Sequence, residues 1–184
     1  GITGLTLPGM IELPGCSAGS SISPRPASGP EFIQRRSLAI FISDTAIVRN
    51  CPDSSTAVSC VDTNTGRSVW NKAAQGVVGV HGDAQWVAGT ETDGRVLVWQ
   101  RASGEKVWEL DRLKFRDLTA PLVLGRLLAV GDQSGQVHLL STADGSELTR
   151  LSTDGSAVLA QPVLSGPALV VQTRNGGVFA WRSQ

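Results

Sequence analysis

The sequence repeats at a fixed interval, and that interval limits the possible folds more than any other feature. Asp93-Gly94, Ser134-Gly135 and Asn175-Gly176 stand 41 residues apart, and each introduces an alternating apolar segment: Val96-Leu-Val-Trp99, Val137-His-Leu-Leu140 and Val178-Phe-Ala-Trp181. The segments before these turns keep the same offset, as Trp86-Val-Ala-Gly89, Leu127-Leu-Ala-Val130 and Ala168-Leu-Val-Val171. Pro121 and Pro162 open the strand before those, where a missing N–H breaks no ladder. A fourth element recurs as Thr65-Gly66-Arg-Ser-Val-Trp70, Ser103-Gly104-Glu-Lys-Val-Trp108 and Asp144-Gly145-Ser-Glu-Leu-Thr149. Within each segment apolar residues return every second position, which is the strand period and not the helical one. Four short strands with tight turns occupy about 40 residues, the size of one propeller blade.

The repeat predicts an all-β chain: a partial β-propeller of about three to three and a half four-stranded blades over residues 57–184. The first unit shows only its last two strands clearly, at 58–61 and 67–71. Two whole blades follow at about 76–110 and 117–151, and the final unit stops after its third strand at Trp181. Residues 1–56 read as an irregular segment, rich in Gly, Ser and Pro up to residue 30, with one or two strands fitting at 37–48 as the worn start of the first blade. Usual rings have about four to eight blades, so the arc reads as a fragment, or as a product whose upstream blades gave way to unrelated sequence. Its end blades are expected to leave faces and strand edges open to another chain.

Sixteen basic and sixteen acidic residues, with a pI near 6.9, leave no basic footprint for nucleic acid. No apolar run approaches the roughly 18 residues of a membrane-spanning helix. Cys16, Cys51 and Cys60 lack the paired CxxC spacing of a zinc site. Cys51 and Cys60 read as two independent thiols, or as a bridge in an oxidising compartment. Leu13-Pro14-Gly15-Cys16 has the outline of a lipobox, which makes Cys16 a candidate for lipidation, with a chance match as the competing reading. Residues 1–15 carry no Lys or Arg and include Pro8, Glu12 and Pro14, against the cationic, then apolar, pattern of an export signal.

His81 and His138 are the two histidines, and His138 occupies the mid-strand position held by Leu97 and Phe179 in the neighbouring units. It is expected to face the core or a blade interface. Asp62, Asp93, Asp132, Asp144 and Asp154 recur beside turns, where a carboxylate accepts from backbone N–H groups two residues on. Trp70 and Trp108 end equivalent strands and are expected to pack between blades; Trp86, Trp99 and Trp181 read as core. No residue is assigned a catalytic, cofactor-binding or metal-ligating role.

Asp62-Thr-Asn-Thr-Gly-Arg-Ser-Val-Trp70 resembles the D-x-x-T-G-x-x-x-W signature of quinoprotein-dehydrogenase-like propellers. Within that group, Leu113-Lys-Phe-Arg-Asp-Leu-Thr-Ala-Pro-Leu122, Val130-Gly-Asp-Gln-Ser-Gly-Gln-Val-His138, Thr153-Asp-Gly-Ser-Ala157 and Val170-Val-Gln-Thr-Arg-Asn-Gly-Gly-Val-Phe179 resemble the C-terminal blades of the BamB family of outer-membrane assembly factors. The resemblance runs over about residues 57–184. It implies a periplasmic lipoprotein at the outer membrane, a non-catalytic scaffold that binds the barrel-forming subunit of the β-barrel assembly machinery and its outer-membrane protein substrates. No partner-contact residue carries over, because the blade loops through which the family docks are not recognisable here. The alternatives are a piece of a quinoprotein dehydrogenase, or a truncated product without independent function. A dehydrogenase of this fold would need a tryptophan floor for its quinone, a calcium site built from carboxylates and usually a vicinal cysteine pair, and no adjacent Cys-Cys occurs in the sequence.

Overall fold

A computed structural model of the chain describes Ala39–Ile42, Thr45–Arg49 and residues 57–182, with side chains over 57–182. The described residues form antiparallel sheets in sequence order. The first holds β1 (Ala39–Ile42), β2 (Thr45–Arg49), β3 (Ala57–Asp62) and β4 (Ser68–Ala73). The second holds β5 (Val77–Gly82), β6 (Trp86–Glu91), β7 (Val96–Gln100) and β8 (Lys106–Leu110). The third holds β9 (Leu122–Leu124), β10 (Leu127–Gly131), β11 (Gln136–Ser141) and β12 (Glu147–Ser152). In the fourth, β13 (Val163–Ser165), β14 (Ala168–Gln172) and β15 (Val178–Arg182) make three strands. These are blades, and the chain is a partial β-propeller.

The first blade is fuller than the repeat alone showed. Ile47 pairs with Cys60 and Ile40 with Ile47, so β1 and β2 complete a four-stranded sheet with β3 and β4. The strands expected at 37–48 thus begin the first blade, although no Asp-Gly, Ser-Gly or Asn-Gly pair stands between β2 and β3 to mark the hairpin. In the later blades that marker does its expected work. Gly94 N–H donates to Glu91 O, Gly135 N–H to Asp132 O and Gly176 N–H to Thr173 O, closing the same tight turn three times.

Blades pack face to face, and the period of two sends alternate residues of one strand to opposite neighbours. Val87, Leu97 and Trp99 of the second blade meet Val58, Cys60 and Trp70 of the first. Ala88, Val96 and Val98 turn the other way, onto Val123, Leu128, Val130 and Leu140 of the third blade. Leu122, Ala129 and Val137 then pack on Leu169 and Val171 of the fourth. Central strands are therefore buried on both faces, which is why they read as near-continuous apolar runs. The fourth blade breaks the pattern: Val163, Leu164 and Val178 are exposed.

Candidate functional site

The joints between blades are built from a repeated tryptophan and a repeated glycine. Trp70 Nε1–H donates to Arg101 O at 2.7 Å, and Trp108 Nε1–H donates to Thr142 O at 2.8 Å, each reaching into the next blade. The indole rings lie on the turn glycines Gly104 and Gly145, where a Cβ would come within 2.6 Å and 2.9 Å of the ring. Both glycines also have positive φ, 67° and 72°, so two independent constraints demand them. The expectation that Trp70 and Trp108 pack between blades holds. The third copy differs, since Thr149 stands where Trp108 stands one blade earlier, and Leu127 stands where Trp86 does. Two indoles are replaced by smaller side chains, and a largely apolar cleft of about 320 Å³ opens between the third and fourth blades, lined by Leu124, Leu127, Thr149, Leu164, Trp181 and Arg182 among others.

Charged side chains gather beside the turns that follow β6 and β10. In the second blade, Arg95 contacts the buried Glu91 at 2.8 Å, Asp93 at 2.9 Å and Glu109 at 3.1 Å. The Glu109 hydrogen bond, ahead of the other contacts, holds the guanidinium above its usual pKa. In the third blade, Asp132 occupies the position of Glu91 and is itself 0% exposed. Its Oδ1 accepts from Ser134 N–H and Gln136 N–H, both at 2.9 Å, and its Oδ2 faces Arg116 Nη1 at 3.0 Å and His138 Nε2 at 3.2 Å. Burial alone would raise this carboxyl, but the bonds from Gln136, His138, Arg116 and Ser134 outweigh it and hold its pKa below the usual range. On the other side, His138 Nδ1 lies 2.8 Å from Glu147 Oε1, which also takes Arg150 Nη2 at 3.0 Å. The His138 bond is the main reason that Glu147 is held low.

His138 is thus 0% exposed and held between two carboxylates, with Nδ1 facing Glu147 and Nε2 facing Asp132. Its expected place at the core or a blade interface is correct. The sequence did not show Arg116 and Glu147 closing the line of charge around it. The available signal was a histidine at a position where its repeats carry Leu97 and Phe179, since a polar ring in an apolar strand requires partners. His81 Nδ1 behaves oppositely, accepting Val123 N–H of β9 at 3.1 Å, and burial lowers its pKa. All five turn aspartates accept backbone N–H bonds as expected, Asp62 from Asn64 and Thr65, Asp93 from Arg95, Asp144 from Ser146 and Asp154 from Ser156. Among the described residues no group of three or more His, Cys, Asp and Glu is placed to hold a metal ion. Cys60 is buried against the second blade; Cys16, the lipidation candidate, and Cys51 lie outside the described residues.

One loop, a strap between β8 and β9, stands apart. Between β8 and β9, Leu113 and Leu118 are buried, while Phe115 between them is 82% exposed. Phe115 and Asp117 both have positive φ, 64° and 48°, a conformation that costs a non-glycine residue about 1–3 kcal/mol and persists where the surroundings enforce it. Phe115 N–H donates to Asp93 O, Gln133 N–H to Arg116 O and Gln133 Nε2–H to Phe115 O, so turns of two successive blades grip the loop.

Repeated blades joined by indole locks, with their charges spent on bracing turns, define the class as a β-propeller. Residues 23–110 match the family model described as outer membrane protein assembly factor BamB. The chain is 42% identical to the outer membrane protein assembly factor BamB of Burkholderia pseudomallei over 125 residues, 68% of this chain and 33% of that protein. It is 36% identical to that of Bordetella pertussis over 127 residues, again 68% of this chain and 33% of the relative. The crystal structure of BamB from Moraxella catarrhalis matches with a TM-score of 0.68 at 29% identity, over 80% of this chain and 43% of that one. Over these residues the chain resembles the BamB family, and it spans 33% of the length of these curated relatives.

Proposed function

We propose that the chain supplies blades of a non-catalytic scaffold in the outer-membrane β-barrel assembly machinery, working at the periplasmic face of the outer membrane. Its partners in this reading are the barrel-forming subunit and outer-membrane protein substrates, bound through blade loops and strand edges without a cofactor. The observation that carries the reading is the match to the BamB family. The chemistry of the chain agrees with it: the most buried ionisable cluster has its hydrogen-bonding capacity taken up by its own turn, strap and outer strand. Lipidation of Cys16 belongs to the same proposal, as the anchor that would hold the scaffold at the membrane.

The test is a binding measurement between the purified chain and the purified periplasmic domains of a barrel-forming subunit, with a full-length relative as the positive control. Co-elution of the two components on size exclusion supports the scaffold role for these blades. Separate elution, at a concentration where the full-length relative binds, assigns partner binding to blades that this chain does not contain.

A further inference from the structure

We infer that Asn175 is a site of spontaneous covalent modification, converting through a cyclic imide to aspartate and isoaspartate, and that the isoaspartate form loosens the β14–β15 hairpin. Of Asn50, Asn64, Asn71 and Asn175, only Asn175 precedes a glycine. A residue without Cβ leaves its main-chain nitrogen open to approach by the side chain before it. Gly176 has φ 85°, and the Asn175 side-chain amide makes no hydrogen bond to another described residue. The reaction needs water and nothing else. Gly176 N, giving its proton to solvent, bonds to Asn175 Cγ, and the side-chain nitrogen leaves as ammonia. Water then opens the imide at one of its two carbonyls. Cleavage between Cγ and Gly176 N yields aspartate in the ordinary main chain; cleavage between the Asn175 main-chain carbonyl carbon and Gly176 N yields isoaspartate, whose chain runs through Cβ and Cγ. Gly176 N–H donates to Thr173 O at 3.0 Å, so ring closure waits on local opening of this turn.

The other pairs of this type are held back by charge. Asp93, Asp144 and Asp154 precede Gly94, Gly145 and Gly155. An ionised carboxylate gives up no oxygen to an attacking nitrogen, so these sites react only when protonated. Asp93 Oδ2 is paired with Arg95 Nε at 2.9 Å. Bonds from Ser146 hold the Asp144 carboxyl, and bonds from Ser156 hold that of Asp154, below the usual carboxylate range. The two products at position 175 differ in consequence. Asp93-Gly94 occupies the equivalent turn of the second blade, so aspartate suits the fold. Isoaspartate adds a main-chain carbon to the loop between the paired Gln172 and Val178, where Thr173 N–H donates to Gly177 O at 2.9 Å, and the register of a hairpin depends on the length of its loop.

Timed incubation of the full chain at neutral to mildly alkaline pH tests this, read by peptide mapping against the unincubated chain and by labelling with an isoaspartyl methyltransferase. The segment holding Asn175 should shift by the mass of an NH2-to-OH exchange and take up the methyl label, while segments holding Asn64, Asn71 and the three Asp-Gly turns take up none. Asn175→Ser, which installs the residue found at the equivalent turn of the third blade, should lose both signals. Hydrogen exchange reads the structural half of the inference. Protection of β14 and β15 should fall in the incubated wild type and stay at the unincubated level in freshly prepared Asn175→Asp, which carries the aspartate product alone. An intact Asn175 after an incubation that converts the same segment as a free peptide, a label that persists in Asn175→Ser, or unchanged protection in the modified chain would overturn the inference.

Discussion

The joint between the second and third blades and the joint between the third and fourth are built on the same backbone repeat, yet they are packed differently. At the first, Trp86, Val107, Trp108 and Leu110 press against a cluster that includes Leu128, Val130 and Leu140, and Leu113 and Leu118 of the strap seal its edge. At the second, Leu127 and Thr149 replace the two indoles, the cleft remains, and the far strand β15 alternates between exposed and half-buried residues. A propeller joint is therefore not guaranteed by correct strand pairing. Its strength follows from the side chains that fill the space between two correctly formed sheets.

Substitutions at equivalent positions should expose this inequality. The largest effect is expected from Asp132→Ala, which removes the acceptor of two backbone N–H groups and strands His138 and Arg116; it should cost about 3–5 kcal/mol in chemical denaturation. Trp108→Ala should cost about 3 kcal/mol through lost packing and the bond to Thr142. At the same position one blade later, Thr149→Ala should change stability by less than about 0.5 kcal/mol. Equal losses at the two sites would erase the distinction between the joints. Gly145→Ala, which forces a Cβ against the Trp108 ring at positive φ, should cost about 1–3 kcal/mol. Thr149→Trp should work in the other direction, raising stability by about 1 kcal/mol as it fills the cleft.

A smaller effect should come from pH. Because burial depresses the pKa of His81, the native state binds fewer protons there than the unfolded chain does. Its contribution is complete above the unfolded value of about 6.5 and is lost as pH falls below it. His81→Asn keeps an acceptor for Val123 N–H but cannot titrate. The stability difference between wild type and His81→Asn, followed by denaturation from about pH 7.5 to 5, should move against the wild type on acidification. A difference that is flat across this range would show that the bond from Val123 N–H to His81 does not depend on the neutral ring.

Much of this architecture is legible in the sequence because each blade repeats its turn chemistry. Gly94, Gly135 and Gly176 mark one hairpin, and Gly104 and Gly145 mark the seats of the indoles. Strands β1 and β2 were less visible, for they pair by backbone register and lack the glycine marker that punctuates the later blades. The aspartates were readable as turn formers since their bonds are local. The line from Arg116 through Asp132 and His138 to Glu147 was not, because it joins a strap, a turn and two strands whose proximity exists only once the blade has folded. The cleft was written in the sequence as Thr149 in place of tryptophan, but its meaning depends on knowing what Trp108 fills.

Hydrogen exchange on the intact chain tests the inequality of the joints most directly. Amides of β14 and β15, such as Leu169, Val171 and Trp181, should exchange before those of β10 and β11, such as Leu128, Val130 and Leu140, because the last blade can detach without opening the joint locked by Trp108. Thr149→Trp should slow exchange in the last blade selectively. Uniform protection across all these strands, unaffected by Thr149→Trp, would contradict the view that interblade side chains set the order in which this propeller comes apart.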